Sequence, residues 1–169
     1  DTPGARGVSA ILVPADRPGL TVGKPNRQMG QQGAHICDVY FDGVRVPAEN
    51  RLGPEGAGFK VAMQVLDRGR LHIAAVCVGV ADRLTEDSLA YAKTRIQFGK
   101  PIVEHQLVAA MLADSRTEYL AARALILDCA ARKDAGESIT LEAAAAKLFA
   151  SEMVGRVADR AVQIHGGAG

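Results

Sequence analysis

Near Gly53 the chain changes character, and that change limits the folds open to it. Pro3, Pro14, Pro18, Pro25 and Pro47, five of the seven prolines, lie before this point among frequent glycines and short apolar stretches. This is the punctuation of strands and turns. From about Gly56 onward apolar residues recur at the helical period and alanine, which loses no side-chain entropy in a helix, becomes abundant. The order predicts an α+β chain: part of an antiparallel β-domain over residues 1–52, then an up-down helical bundle over residues 53–169.

In the first region residues 8–13 predict a strand, closed by Pro14-Ala15-Asp16-Arg17-Pro18-Gly19, where two prolines and a glycine forbid regular continuation. Thr21-Val22 reads as a short extended piece. Cys37, Val39 and Phe41 alternate with Asp38, Tyr40 and Asp42, so one face of this strand is expected to be buried and the other wet. Asp42-Gly43 turns the chain, and Val44-Arg45-Val46 is expected to return as a strand stopped by Pro47.

In the second region helices are expected over residues 56–67 and 71–96, with a bend at Gly69 and with Ile73, Val76, Val80, Leu84 and Tyr91 along the inner stripe. Phe98-Gly99-Lys100-Pro101 breaks the pattern. A helix over residues 104–134 follows, with Val108, Met111, Leu112, Tyr119, Ala122, Ile126 and Cys129 facing inward, and ends at Ala135-Gly136. The last, over residues 141–164, buries Ala150, Val154, Val157, Ala161 and Ile164, with Thr140 or Ser138 as its N-cap.

Twenty Lys and Arg against 19 Asp and Glu leave a formal charge of +1, which gives no support to a nucleic-acid or anionic-membrane surface. No apolar run is long enough to span a bilayer and nothing near Asp1 resembles a signal peptide, so an intracellular, cytoplasmic protein is expected. Cys37, Cys77 and Cys129 lie far apart without paired His, which predicts buried small hydrophobes rather than disulfides or a metal site. The chain begins without an initiator Met and stops in a glycine-rich turn, where a helix would hand over to more protein. An interval of a longer chain is expected.

His35, His72, His105 and His165 show no metal-ligand spacing, and the glycine clusters at residues 53–58 and 166–169 match neither the dinucleotide fingerprint nor a phosphate loop. Asp67-Arg68-Gly69-Arg70 fits either an exposed ion cluster or a polar ligand contact. The strongest signal is Arg95-Ile96-Gln97-Phe98-Gly99-Lys100-Pro101-Ile102-Val103-Glu104-His105-Gln106. A guanidinium, an aromatic ring, a tight turn and a His-Gln pair opening a helix are the chemistry for holding a phosphate beside a flat ring.

This segment closely resembles the signature of the flavin-dependent acyl-CoA dehydrogenases: Arg, two residues, Phe-Gly-Lys, then a helix opening with His-Gln. Met29-Gly30-Gln31, the stretch from Val39 to Asn50, Gly56-Ala57-Gly58-Phe59, Leu66-Asp67-Arg68-Gly69-Arg70 and Gln163-Ile164-His165-Gly166-Gly167 are similar to further blocks of that family, in the same order. The resemblance covers essentially the whole chain. It implies the second half of a middle β-domain followed by about three-quarters of a C-terminal four-helix bundle.

The resemblance further implies FAD as cofactor, with contacts from Arg95 to the pyrophosphate, Phe98 near the adenosine half, His105 and Gln106 at the start of the next helix, and Gln163, Gly166 and Gly167 at a close-approach turn. Gln97 stands where relatives often carry Thr, and His105 and Gln97 fit a capping or solvent-facing role as well. Asp67 and Arg70 match the family's block at the substrate pocket, with their mutual ion pair as the plain structural alternative. The implied reaction is α,β-dehydrogenation of an acyl-CoA thioester to the trans-2-enoyl product, with electrons passed to an electron-transferring flavoprotein. An acyl-CoA or nitroalkane oxidase, or a non-catalytic flavin-binding relative, are the alternatives. The resemblance places the catalytic glutamate beyond Gly169; some branches carry it on the Asp-x-x-Arg helix, where this chain has Gly69. The 169 residues alone are therefore expected to be inactive, and the family's flavin contacts from a neighbouring subunit imply a homodimer or tetramer, in the cytoplasm or, in a eukaryote, the mitochondrial matrix.

Overall fold

Short antiparallel ribbons make up the strands near the start of the chain. In this computed structural model, which describes residues 3–169, β1 (Ala10–Ile11) pairs with β4 (Arg51–Leu52), and β2 (Leu20–Val22) pairs with β3 (Val39–Phe41). Asp1 and Thr2, the first residues of the expected β-portion, lie outside the described residues. Leu20 stands opposite Phe41 and Val22 opposite Val39. The Asn50 side-chain amide donates to the Leu12 carbonyl at 3.0 Å, and the Leu12 N–H to the Asn50 carbonyl at 2.9 Å, which extends the first ribbon by one pair. The chain divides into two compact units, Asp1–Met63 and Gln64–Gly169.

Three strand expectations change. The strand over residues 8–13 contracts to two residues. Val44-Arg45-Val46 forms no strand; the partner of β1 is Arg51–Leu52, brought there by the turn at Ala48–Asn50. The expected one-sided burial of residues 36–41 is absent, since Val39, Tyr40 and Phe41 are all exposed. A two-stranded ribbon has no second layer to cover either face. The glycines of Gly56-Ala57-Gly58 have a packing cause: a Cβ on Gly58 would collide with the backbone of Ser9 and Ala10, and the Gly58 N–H donates to the Val8 carbonyl at 2.8 Å.

Three long helices form the second part: α1 (Gly58–Thr94), α2 (Gln106–Asp134) and α3 (Thr140–His165). Ala92 of α1, Leu112 near the start of α2 and Ile164 at the end of α3 meet in one apolar cluster. At the opposite end Leu71 of α1 packs on Cys129 of α2 and on Ile139 and Ala143 at the start of α3. The helices therefore run up, down and up. Between these clusters Ala81, Tyr119, Ala122, Met153 and Val157 fill the middle.

The break at Gly69 does not occur: α1 runs 37 residues without interruption. One glycine costs a helix only about 1 kcal/mol relative to alanine, less than the packing of its flanking turns supplies. Because a Cβ on Gly69 would meet nothing within 4 Å, Gly69→Ala is expected to raise stability by roughly 0.5–1 kcal/mol in chemical denaturation.

The inward stripe of α1 is also not the expected one. Ile73, Val76 and Val80 are exposed, while Ala74, Ala81, Thr85, Ser88 and Ala92 are buried and Leu84 and Tyr91 half-buried. Ala74, Ala81 and Ala92 sit in the apolar clusters with side chains of α2 and α3, so the alanine face is the one that packs. The inner faces of α2 and α3 agree closely with expectation, although Val108, Met111 and Val154 are only half-buried and Ser115, Ala143, Ala146 and Met153 join them. Glu104, expected as the first residue of α2, instead closes a separate 3-10 turn over Ile102–Glu104, and α2 begins at Gln106. Cys129 is buried, but Cys37 and Cys77 are half-buried, so the expectation of three buried cysteines holds for one. Among the described residues no helix is long and apolar enough to cross a membrane.

Ion pairs tie the helices across their rims. Arg116 of α2 reaches Asp82 of α1 at 2.9 Å, and Glu118 of α2 accepts from Arg156 and Arg160 of α3 at 2.9 and 2.8 Å. Burial alone would push the Glu118 carboxyl up, but hydrogen bonds from Arg160 and Arg156, with their charges, together hold it below the usual carboxylate value. A lowered folded-state value contributes stability that is present above the unfolded value and lost as pH falls through the folded one. The stability advantage of the wild type over Glu118→Gln is therefore expected in full at neutral pH and to shrink below roughly pH 4.5, as read from paired pH-dependent melts.

Candidate functional site at the hairpin end of the helices

α1 ends in a tight hairpin. β5 (Ile96–Gln97) pairs with β6 (Lys100–Pro101) through Phe98 and Gly99, both at positive φ, 54° and 81°. That pair of signs is the geometry of a two-residue type I′ turn, which glycine accepts freely and phenylalanine adopts rarely. Phe98 is 94% exposed, its ring edge-on to His105 at 6.0 Å. The Ile102 N–H donates to the Arg95 carbonyl at 2.8 Å, so Arg95 anchors the hairpin by its backbone. Its guanidinium makes no ion pair among the described residues and lies exposed.

His105 occupies the N-cap position of α2 but makes no side-chain capping bond. Its Nε2 lies 3.2 Å from the Gln97 carbonyl, and because a carbonyl only accepts, Nε2 carries the proton. The ring is thus turned back onto the hairpin, and the first amides of α2 keep the partial positive charge of a helix N-terminus. Gln106, the first residue of α2, is exposed.

At the end of α3, Gly166 adopts φ 60° and ψ −129°, a conformation strained for any residue with a Cβ. Gly167 differs: its φ is not positive, and a Cβ there would meet nothing within 4 Å. Neither conformation nor packing within the chain requires glycine at 167. His165, the last residue of α3, hydrogen-bonds through Nδ1 to the Ala161 carbonyl at 2.8 Å, and its ring stacks on Tyr91 with centroids 4.5 Å apart. Gln163 is exposed in the same last turn.

The Ala92, Leu112 and Ile164 cluster joins the ends of these elements. Arg95, Gln97, Phe98, His105 and Gln106 on one side and Gln163, Gly166 and Gly167 on the other therefore share one end of the helices. Asp67 and Arg70 are at the other. Asp67 and Arg95 stand 28 positions apart with 27 residues of unbroken helix between them, about 42 Å at the rise of an α-helix.

At that second end Arg70 donates to Asp67 Oδ1 at 2.8 Å, and Thr140 Oγ1 donates to Asp67 Oδ2 at 2.7 Å. The ion pair named as the plain alternative is thus present, and both carboxylate oxygens are engaged. Thr140 does not cap α3; Ile139 holds the N-cap position without a side-chain bond. Thr140 is the first helical residue, one position past the cap, and its hydroxyl donates to a carboxylate in a charge-assisted bond. Sequence reasoning does not reach the pairing of Thr140 with Asp67 or of Tyr91 with His165, because the partners are more than 70 positions apart.

The family model for the acyl-CoA dehydrogenase C-terminal domain matches residues 56–169. The probable acyl-CoA dehydrogenase YngJ of Bacillus subtilis is 48% identical over 96% of this chain, and a subunit of the caffeyl-CoA reductase-Etf complex of Acetobacterium woodii is 42% identical over 98%. This chain spans 43% and 44% of their respective lengths. The structure of butyryl-CoA dehydrogenase from Megasphaera elsdenii superposes with a TM-score of 0.94 at 42% identity, over 97% of this chain and 43% of that one. That of PigA with FAD and proline gives 0.94 at 31% identity, over 98% of this chain and 43% of PigA. With its fold, its ordered blocks and a family match over most of its length in agreement, the chain belongs to the acyl-CoA dehydrogenase family.

Proposed function

We propose that this chain is the dinucleotide-gripping and substrate-gripping part of an FAD-dependent acyl-CoA dehydrogenase, converting an acyl-CoA thioester to its trans-2-enoyl product. The observation that carries the reading is the convergence of Arg95, exposed Phe98 and the Gly166-Gly167 turn at one end of the helices. These residues fit the dinucleotide. Arg95 and the uncapped start of α2 offer positive charge to a pyrophosphate, and Phe98 offers a face to a flat ring. At Gly167 the open space leaves approach by something outside the chain as the physical reason for glycine.

FAD, when bound, supplies the acceptor for the hydride from the substrate β-carbon. The chain's own residues bind and orient. Gln97 and His105 brace the hairpin that carries Phe98, while Gln106 and Gln163 line the same end with amide groups. Arg70, held by Asp67, faces the thioester and pantetheine portion of the substrate. None of the Asp67–Arg70 stretch takes the α-proton: Gly69 has no side chain and both oxygens of Asp67 are already engaged. We place that base in a glutamate beyond Gly169.

The roughly 42 Å between the two ends is too long for the substrate gripped at Asp67–Arg70 to meet the FAD gripped at the hairpin end of the same subunit. This supports a homodimer or larger homo-oligomer in which each subunit grips its neighbour's cofactor. An electron-transferring flavoprotein is the proposed electron acceptor; the similar protein from Acetobacterium woodii is a subunit of a reductase-Etf complex. The test is anaerobic titration of the full-length protein with acyl-CoAs of graded chain length. Flavin bleaching, with turnover restored by an artificial acceptor, is expected; no bleaching at any chain length overturns the reading. Rapid oxygen consumption without added acceptor identifies an oxidase on the same scaffold instead.

A further inference from the structure

We propose that Tyr91 is a positioning residue that holds the two dinucleotide-gripping loops in register; this rests on the assignment of the hairpin end to FAD made above. Tyr91 lies in the last turn of α1 and is bonded to both loops at once. Its backbone carbonyl accepts from the Arg95 N–H at 2.9 Å and from Thr94 Oγ1 at 3.1 Å, fixing where the helix hands over to the hairpin. Its ring stacks on His165 with centroids 4.5 Å apart and planes 24° from parallel, and its hydroxyl stands 3.5 Å from the His165 carbonyl. That carbonyl belongs to the peptide entering Gly166, the hinge of the glycine turn.

The His165 ring is not free to follow a moving neighbour. Its Nδ1 donates to the Ala161 carbonyl, so the plane on which Tyr91 stacks is set by α3. Ala92, Leu112 and Ile164 seal the helices together beneath this contact. They carry no polar side-chain group, so they fix the distance between helices but not the direction in which the turn leaves α3. The Tyr91–His165 contact joins a residue one turn from Arg95 to the residue before Gly166. At 3.5 Å the hydroxyl contact is long, so the stack carries the coupling.

The full-length protein is stripped of flavin and the dissociation constant for added FAD is read from fluorescence quenching. Tyr91→Leu is expected to weaken FAD about 10-fold, the size an aromatic pair contributes, and Tyr91→Phe less than about 3-fold. The melting temperature of the apoprotein stays near wild type in both, and the visible circular dichroism of bound flavin changes in Tyr91→Leu alone. His165→Leu tests the same stack from α3, and serves if Tyr91→Leu does not fold; combined with Tyr91→Leu it adds little. A wild-type FAD constant in Tyr91→Leu while Arg95→Ala weakens binding overturns the positioning role alone. So does a Tyr91→Phe variant as weak as Tyr91→Leu, or full additivity of the Tyr91 and His165 variants. An Arg95→Ala variant with unchanged FAD affinity overturns the FAD assignment, and the positioning role with it.

Discussion

Alanine at Arg95 is expected to weaken FAD binding by about 10- to 100-fold, since hydrogen bonds to a charged group contribute roughly 1.5–3 kcal/mol. Arg95 is an exposed cation at the hairpin end with no carboxylate partner among the described residues. Its side chain can therefore be removed without orphaning a protein group, and the loss falls on the ligand. The hairpin itself survives, because Arg95 anchors it through backbone groups: its N–H to Tyr91 and its carbonyl to Ile102. Lysine should rescue only in part, keeping the charge but not the planar fork that suits a pyrophosphate. The check is equilibrium FAD titration of the apoprotein at fixed salt. Loss of flavin affinity with an unchanged far-ultraviolet spectrum is the expected result, and unchanged affinity overturns the assignment of the hairpin end to FAD.

Truncating Met153 to alanine is expected to cost about 2–5 kcal/mol of stability, the largest folding effect foreseen for a single change here. Met153 is fully buried in the middle cluster, where Ala81, Tyr119 and Ala122 bring the other two helices against it. Three of the side chains lining this layer are already small or rigid, so little is free to collapse into the space left behind. Met153→Leu, which conserves volume, should cost less than about 1.5 kcal/mol. Thermal melts of the three proteins decide it; a small effect for alanine would mean that the helices close over the cavity.

How much of this was legible beforehand varies with the kind of residue. The turn at Phe98-Gly99, the end of α2 at Gly136 and the inner faces of α2 and α3 follow from glycine chemistry and helical period, and the structure has them. On α1 bulk is no sign of burial. Ile73 and Val80 are larger and more apolar than Ala74 and Ala81, yet the alanines are inside. The strand partner of β1 was misread because two-residue strands carry too little pattern to set a register. Of the site, the hairpin and the glycine turn were visible as motifs; that they meet at one end of the helices was not.

The sequence by itself determined that a strand-and-turn portion precedes a set of long helices, the turn chemistry and the family. These depend on properties that act within one helical turn or one hairpin, and they survive whatever the rest of the chain does. Only the tertiary structure decided that α1 runs unbroken through Gly69, which alanines it presents to its neighbours, that Thr140 serves Asp67 rather than its own helix, and that Tyr91 meets His165, 74 residues on. Each of these is a choice among locally equivalent options. The choice falls to whichever arrangement packs three helices most closely and leaves the fewest polar groups without partners.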